Sequence, residues 1–244
     1  MRIKVINPNT TLSMTDKIGA SARAVAAPGT EIVAVSPDMG PVSIEGFYDE
    51  AFAAIGVIDE VIKGEAEGFD GYVIACFDDP GLHAAREIAK GPVVGIAEAA
   101  MHMATLIGTG FSIISLIERM LPVMDHLVHG YGMQDKCRSI RKTDLEVLQL
   151  EDKCSNAREI VVRECRLAVE EDGADSVLLG CAGMTDLMEH VSEQIGAPAI
   201  DGVAAAVKMV EGAVSLGLQT SKRHGYAYPQ RKIYTGSFER FGPK

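Results

Sequence analysis

The sequence has few of the features that would indicate a metal centre, a disulfide scaffold or a membrane anchor. Its five cysteines include no CxxC pair. An odd number of cysteines without that spacing fits neither a disulfide framework nor a zinc ribbon. Glycine, histidine or charged residues interrupt the apolar runs well before the ~20 residues that a membrane span needs. We therefore expect no metal site and no membrane partner.

Positive charge is also scarce. The chain carries 23 Lys and Arg residues against 34 Asp and Glu residues, which gives a formal net charge of −11. Such a balance repels phosphate backbones and anionic lipid surfaces, so we expect no nucleic-acid partner. The first residues, MRIKVINPNT, contain only a short strand-like apolar stretch, too short for the apolar core of a secretory signal. These features predict a cytoplasmic protein.

What is present is an alternation of short apolar segments with amphipathic ones. Hydrophobic residues make up 47% of the 244 residues and charged residues 23%, as in ordinary globular proteins. The helical stretches include Asp49–Lys63 and Asn156–Glu171. Strand–helix alternation predicts an α/β fold with parallel sheets covered by helices on both faces. The predicted strands are Ile3–Ile6, Ile32–Val35, Tyr72–Ala75, Val93–Ile96, Ser112–Ser115, Ser176–Leu179 and Ala199–Ile200.

The chain also repeats itself. GFDGYVIACFDDPGL at Gly68–Leu82 resembles GADSVLLGCAGMTDL at Gly173–Leu187, with a cysteine at the same place in each. Likewise, Arg2–Ile6 resembles Phe111–Ser115, and Gly91–Ala100 resembles Gly196–Ala206. The repeat predicts two similar lobes, each a parallel sheet with flanking helices, and an active site in the cleft between them. We expect residues 1–97 together with 205–244 to form the first lobe and residues 98–204 the second.

The two matched cysteines carry the chemistry. Cys76 and Cys181 each follow a predicted strand and precede a predicted helix, and reactive groups of parallel sheets lie beyond the carboxyl ends of the strands. Asp79 is the expected N-cap of the helix after Cys76, and helix N-termini lower thiol pKa values. A pseudo-twofold relation would bring the thiols to opposite walls of one cleft. Two opposed thiols suit racemisation, in which one removes a proton and the other supplies one.

Six segments of the chain together carry a resemblance to a known family: INPNTT (Ile6–Thr11), PVSIEGFYDE (Pro41–Glu50), VIACFDDPGL (Val73–Leu82), GIAEAAMHMATL (Gly95–Leu106), LLGCAGM (Leu178–Met184) and IDGVAAAVKMVE (Ile200–Glu211). They resemble the aspartate/glutamate racemase superfamily and, within it, the hydantoin racemase group, which includes allantoin racemases. The resemblance covers nearly the whole chain and implies a two-lobed α/β fold, a reaction without metal or organic cofactor, and Cys76 and Cys181 as the acid/base pair.

The residues after the cysteines bear on the substrate. Amino-acid racemases of the superfamily carry Asn-Thr and Thr-His there, whereas this chain has Phe77-Asp78 and Ala182-Gly183. An apolar ring and two small residues leave room beside the thiols, and an amino-acid carboxylate would meet Asp78 and Asp79. These four residues are therefore predicted to bind a neutral cyclic amide, either a 5-substituted hydantoin or allantoin, which is 5-ureidohydantoin. A free amino acid is the weaker expectation.

The resemblance also places Asn9 and Ser43 near the substrate. Asn9 is equally suited to the turn that opens the first helix, and Ser43 lies in the Pro-Val-Ser-Ile-Glu-Gly loop. Ile117 follows the strand that matches the first one, so it should face the cleft as well.

Several alternatives stay open. Cys76 could be the nucleophile of a Cys–His hydrolase, but Cys181 would then be unexplained. A non-catalytic binding protein with two lobes is the alternative from another class. We expect the other three cysteines, Cys137, Cys154 and Cys165, to be structural, and the segment Gln219–Lys244 to contact a neighbouring subunit in a homo-oligomer.

Overall fold

The computed structural model describes residues 1–147, 149 and 156–243 and contains two parallel sheets of four strands each. The first sheet has the order β2-β1-β3-β4 and the second the order β6-β5-β7-β8. The strands of the first are β1 (Arg2–Ile6), β2 (Glu31–Val35), β3 (Gly71–Ile74) and β4 (Val93–Gly95). Those of the second are β5 (Phe111–Ser115), β6 (Cys137–Lys142), β7 (Ser176–Leu179) and β8 (Ala199–Ile200).

Helices connect successive strands, as a parallel sheet requires. The helices associated with the first sheet are α1 (Leu12–Val25), α2 (Phe47–Glu67), α3 (Leu82–Ile88) and α4 (Ile96–Ile107). Those that follow are α5 (Leu121–Gly130), α6 (Ala157–Glu170), α7 (Met188–Ile195) and α8 (Gly202–Ser215). Short 3-10 helices span Glu118–Met120, Ala182–Leu187, His224–Tyr226 and Gly236–Phe241.

The equal strand orders confirm the predicted fold class of two similar α/β lobes. The correspondence extends to single backbone positions: Gly68 and Gly173, which precede β3 and β7, have left-handed φ values of +77° and +71°. Glycine adopts this region without a steric penalty, so the same turn leads into both strands.

All seven predicted strands are present, but β6 was missed. Its sequence CRSIRK has charged residues at three of six positions and most of its side chains are partly exposed. β6 is an edge strand, at one end of its sheet. Edge strands are often charged on their open side, so this one lacked the continuous apolar run that revealed the buried strands.

One apolar core joins the two sheets. Val5 and Val73 of the first sheet and Ile113 and Leu178 of the second belong to the same buried cluster. This shared core fixes the position of one sheet relative to the other.

None of the helices in the described part of the chain has the length and apolar composition of a membrane span.

The C-terminal part of the chain lies on the first sheet. Helix α8 packs against β3 and β4, and Thr220 donates hydrogen bonds to the carbonyl groups of Lys90 and Gly91. The assignment of residues 205–244 to the first lobe stays a prediction.

Candidate active site

A cleft with about 480 Å³ of space between its walls, part of it open to solvent, lies at the carboxyl ends of the strands. The wall on the side of the first sheet consists of Asn7, Asn9, Met14, Ile44, Glu45, Ala75, Cys76, Phe77 and Asp78. The opposite wall consists of Ser115, Leu116, Ile117, Met120, Val147, Gly180, Cys181 and Ala182. The structure thus brings both predicted thiols to one cleft.

Equivalent backbone hydrogen bonds position the two thiols. The N–H of Ala75, directly before Cys76, donates to the carbonyl of Ile6 at 2.8 Å. The N–H of Gly180, directly before Cys181, donates to the carbonyl of Ile114 at 2.9 Å. Each bond extends the central ladder of its sheet by one residue, so each thiol leaves the sheet at the same point.

The loop after Cys76 differs from the sequence-based prediction. Helix α3 begins at Leu82 with Gly81 as its N-cap, and Asp79 does not cap it. Instead, the Asp79 carboxylate accepts hydrogen bonds from the N–H groups of Ala97 and Glu98, at the start of α4. The sequence could not show this cap because the two segments are far apart in the chain.

Asp79 is fixed by two further contacts. The Tyr131 hydroxyl donates to its carboxylate at 2.7 Å, and Gly95 lies so close that an added Cβ would be 2.1 Å from Cγ of Asp79. Burial raises the pKa of Asp79 to about 7, although the bonds from Tyr131, Glu98 and Ala97 oppose the rise. Asp79 therefore holds the Cys76 loop against α4 and does not line the cleft.

Cys181 begins a 3-10 helix, as the predicted tight turn requires. It is the N-cap residue of the helix Ala182–Leu187, and its Sγ accepts a hydrogen bond from the N–H of Gly183 at 3.4 Å. This helix continues directly into α7. A backbone donor aimed at sulfur stabilises the ionised thiol.

Each half of the molecule supports the cysteine loop of the other. Lys17, on α1, donates to the carbonyl of Gly183 at 3.3 Å, and α1 packs against the 3-10 helix that Cys181 begins. Tyr131, directly after α5, bonds Asp79 in the loop that follows Cys76. The pseudo-twofold relation of the sheets thus includes the supports of the two thiols.

The environment of Cys76 raises the pKa of its thiol. Burial is the main cause, and the carboxyl groups of Asp78 and Asp79 and the nearby Cys181 add to it. A hydrogen bond from the backbone N–H of Asp78 opposes the rise. The expected lowering by a helix N-terminus is wrong for Cys76, since α3 begins only at Leu82 and burial dominates. The ionised thiol is consequently a stronger base than an ordinary thiolate.

Asp78 is the most unusual polar side chain of the cleft. It is 4% exposed, and its Oδ2 has no hydrogen-bond partner in the described structure. Burial, followed by the charges of Glu50, Asp79 and Asp49, raises the pKa of its carboxyl well above the usual range. The sequence predicted that Asp78 and Asp79 would repel the carboxylate of an amino-acid substrate. The structure does not support that argument, because Asp79 does not line the cleft and the raised pKa of Asp78 favours its neutral form.

Four of the six predicted substrate-binding residues line the cleft: Asn9, Phe77, Asp78 and Ala182. Gly183 does not line it and instead binds the sulfur of Cys181 through its N–H. Ser43 does not line the cleft either. The next two residues of the same loop, Ile44 and Glu45, line it instead.

The side chain of Asn9 is largely engaged within its own turn. Its Oδ1 accepts hydrogen bonds from the backbone of Thr11 and from the Asn7 amide, both at 2.9 Å. Its amide nitrogen contacts sulfur of Met14 at 3.7 Å. Helix α1 starts at Leu12 with Thr11 as N-cap, so Asn9 shapes the approach to the helix while facing the cleft.

Sequence reasoning missed several residues of the cleft. Ser115, at the end of β5, is 1% exposed and its hydroxyl has no partner in the described structure. Glu45 crosses the cleft and accepts a hydrogen bond from the backbone of Val147 at 3.2 Å. The repeat could have indicated Ser115: β5 corresponds to β1, and both Asn7, directly after β1, and Ser115, at the end of β5, line the cleft. Ile117 faces the cleft as expected.

The remaining cysteines lie elsewhere. Cys165 is fully buried in the core and Cys137 is partly buried at the start of β6. Cys154 lies outside the described residues, so its predicted structural role stays a prediction. Across the described ranges, no group of three or more histidine, cysteine or acidic side chains is arranged to hold a metal ion.

Several known proteins are similar to this chain in sequence and fold. A hydantoin racemase of Pseudomonas sp. (strain NS671) is 49% identical over 99% of this chain and 97% of its own length. The structure of an allantoin racemase from Klebsiella pneumoniae has 53% identity and a TM-score of 0.97, with both chains fully covered. That of an allantoin racemase from Pseudomonas fluorescens has 40% identity and a TM-score of 0.93, covering 97% of this chain and 100% of that one. A family profile described as Asp/Glu/Hydantoin racemase matches residues 3–210. The chain belongs to the Asp/Glu/hydantoin racemase family.

Proposed function

We propose that this protein racemises 5-substituted hydantoins by proton transfer at C5 between two thiols, Cys76 and Cys181, without a cofactor. The observation that carries the proposal is the presence of both thiols in one cleft, each preceded by an equivalent backbone hydrogen bond within its own sheet. In each direction one thiolate removes the C5 proton, and the thiol on the other wall supplies a proton to the opposite face of the ring. The carbonyl next to C5 acidifies that C–H, so no external electron sink is needed.

The lining favours a neutral ring over a free amino acid. The residues after the cysteines, Phe77 and Ala182, offer no hydroxyl or amide for a substrate carboxylate. The unpaired polar atoms of Asp78 and Ser115 offer hydrogen-bond partners for the N–H and C=O groups of a cyclic amide. Asn9 faces the same space.

Allantoin is the second candidate substrate. It is itself a hydantoin, and the two solved structures described above are of allantoin racemases. The same pair of thiols would serve it by the same chemistry, and only the substituent at C5 differs.

The decisive experiment is the decay of optical rotation of pure enantiomers, with and without a thiol-alkylating reagent. Allantoin and the benzyl-, isobutyl- and methylthioethyl-hydantoins should be compared, each corrected for racemisation without enzyme. We expect enzyme-dependent decay that alkylation abolishes. Binding without any decay would leave the protein a non-catalytic binder and would contradict the proposal.

We also propose that the protein is a homo-oligomer with no nucleic-acid partner. The described part of the C-terminal segment exposes Tyr228, Ile233 and Phe238, which favours contact with a second copy in a homo-oligomer. The acidic charge disfavours nucleic acid. We place the protein in the cytoplasm. Light scattering after size-exclusion chromatography tests the oligomer.

A further inference from the structure

The two walls of the cleft differ at one position next to the thiols. In the repeat, Asp78 of the first half corresponds to Gly183 of the second. The N–H of Gly183 donates a hydrogen bond to the sulfur of Cys181, and the N–H of Asp78 lowers the pKa of the Cys76 thiol. Only the first wall, however, adds a carboxyl group at this point.

That carboxyl group has no partner of its own. Asp78 is 4% exposed and its Oδ2 is unpaired. A buried polar atom without a hydrogen bond costs free energy, so it persists where a ligand completes it or where function requires it. Asp78 is one of the residues that line the cleft of the two thiols.

The neighbouring charges do not neutralise an Asp78 carboxylate. Among the residues that the structure describes, no salt bridge reaches Asp78, and Arg86, the arginine of α3, is paired with Glu98 of α4. His126, on α5, lowers the pKa of Glu50. The acidic groups of α2 and of the loop itself oppose ionisation of Asp78. Burial and like charges together favour the protonated acid.

A protonated carboxyl group has the hydrogen-bonding pattern that an amide edge requires. Its O–H donates and its C=O accepts, whereas the edge of a hydantoin ring presents C4=O and N3–H side by side. C4 is bonded to C5, so negative charge develops on the C4 oxygen when the C5 proton leaves. A donor aimed at that oxygen stabilises the charge without giving up its proton.

We propose that Asp78 acts as a neutral carboxylic acid that binds the C4=O and N3–H edge of the hydantoin ring and stabilises the enolate formed at C4. The inference rests on the proposed function and adds a third catalytic residue to the two thiols. The C5 proton passes to one thiolate, the proton delivered to C5 comes from the other thiol, and the Asp78 proton stays in its hydrogen bond.

Two substitutions of similar size test the role of the side chain. Asp78→Asn keeps one donor and one acceptor, whereas Asp78→Leu removes both. We expect kcat/KM for 5-benzylhydantoin to fall by about tenfold or less in Asp78→Asn and by roughly 100-fold to 1000-fold in Asp78→Leu, the loss typical of a missing oxyanion donor. Equal inactivity of both variants would show that an ionised carboxylate is required, and full activity of Asp78→Leu would show that no group is needed there. Either result overturns the proposal.

Changes in the substrate test the same pairing in the unaltered protein. Methylation at N3 of 5-benzylhydantoin removes the N–H group that donates a hydrogen bond to Asp78. Methylation at N1 leaves the C4=O and N3–H edge intact. We expect the N3-methyl compound to lose far more of its kcat/KM than the N1-methyl compound, and we expect the N3-methyl penalty to shrink in Asp78→Leu, as two changes at one contact do. Equal turnover of the two methylated compounds contradicts the proposal even if Asp78→Leu fails to fold. Turnover of unmodified 5-benzylhydantoin tests the proposed function separately.

Discussion

The backbone N–H of Gly183 donates a hydrogen bond to Sγ of Cys181 at 3.4 Å. The backbone N–H of Asp78, at the equivalent position after Cys76, lowers the pKa of that thiol and so opposes the effect of burial. Both N–H groups belong to the residue two positions after the cysteine, in a loop that the other half of the molecule supports. Because such a bond favours the thiolate, both thiols are equipped to alternate between base and acid, as racemisation in two directions requires.

Replacement of either thiol should nearly abolish racemisation. Without one of them, proton removal or proton delivery lacks its group, and a barrier higher by about 3 kcal/mol lowers the rate by more than 100-fold. We expect Cys76→Ser and Cys181→Ser each to lose at least that much kcat/KM, measured by optical rotation.

Two matched variants control for the loss of a thiol in general. Cys137→Ala and Cys165→Ala change residues outside the cleft. Both should keep their activity, although removal of the buried Cys165 sulfur should lower the thermal midpoint. Near-normal turnover in either cleft variant would refute the assignment of the pair.

The raised pKa of Cys76 predicts an alkaline activity profile. Burial places this pKa well above its ordinary value, so the fraction of thiolate at neutral pH is small and grows as the pH rises. For the enantiomer that Cys76 deprotonates, kcat/KM should still increase above pH ~8.5, where an ordinary cysteine is half ionised. A profile that is flat from pH 6 upward would show that the thiol ionises more readily than its surroundings imply.

The packing of Gly95 against Asp79 predicts a site of high sensitivity. In Gly95→Ala, the added Cβ would lie 2.1 Å from Cγ of Asp79, so Asp79 must move and α4 loses its cap. We expect a loss of stability of about 2 to 4 kcal/mol together with reduced activity, since the Cys76 loop moves too. Gly130→Ala, where no atom lies within 4 Å of the new Cβ, is the control and should have a free energy of unfolding at least equal to that of the unaltered protein. Urea denaturation measures both.

Tyr131→Phe should destabilise the protein more at alkaline than at acidic pH. Asp79 has a folded-state pKa of about 7, raised from 3.8, so the folded state loses stability as the pH rises between these values. Because the Tyr131 hydroxyl favours the ionised form, its removal raises the pKa further and extends that loss to higher pH. We expect about 1 kcal/mol or more at pH 9 and less at pH 5.5. Tyr228→Phe, at an exposed tyrosine, should show no such dependence, and an equal loss at both pH values would contradict the assigned bond.

The sequence predicted the buried part of the fold and missed its edge. Strands such as β3 and β7 are apolar on both faces, so their composition alone identifies them, and their repetition identified the second half of the molecule. The edge strand β6 has a polar composition that is also typical of loops. Nothing local distinguishes the two cases, because pairing with β5 is what makes this segment a strand.

The site was predictable where it follows strand ends and unpredictable where distant segments meet. Cys76 and Cys181 were located because each follows a strand of the repeat. The cap that Asp79 provides for α4 and the bond between Glu45 and Val147 depend on three-dimensional proximity. The raised pKa of Cys76 also arises from burial among neighbours that sequence spacing does not reveal.

The measurement that tests the two-thiol mechanism most directly is the isotopic content of the first product formed in deuterated water. If Cys76 and Cys181 act on opposite faces of C5, the inverted enantiomer takes its hydrogen from a thiol that has exchanged with solvent. Separated enantiomers, analysed by mass spectrometry at low conversion, should show almost complete deuterium at C5 in the product and retained protium in the remaining substrate. Substantial protium in the early product would mean that a single base returns the hydrogen it removed, and would contradict the account.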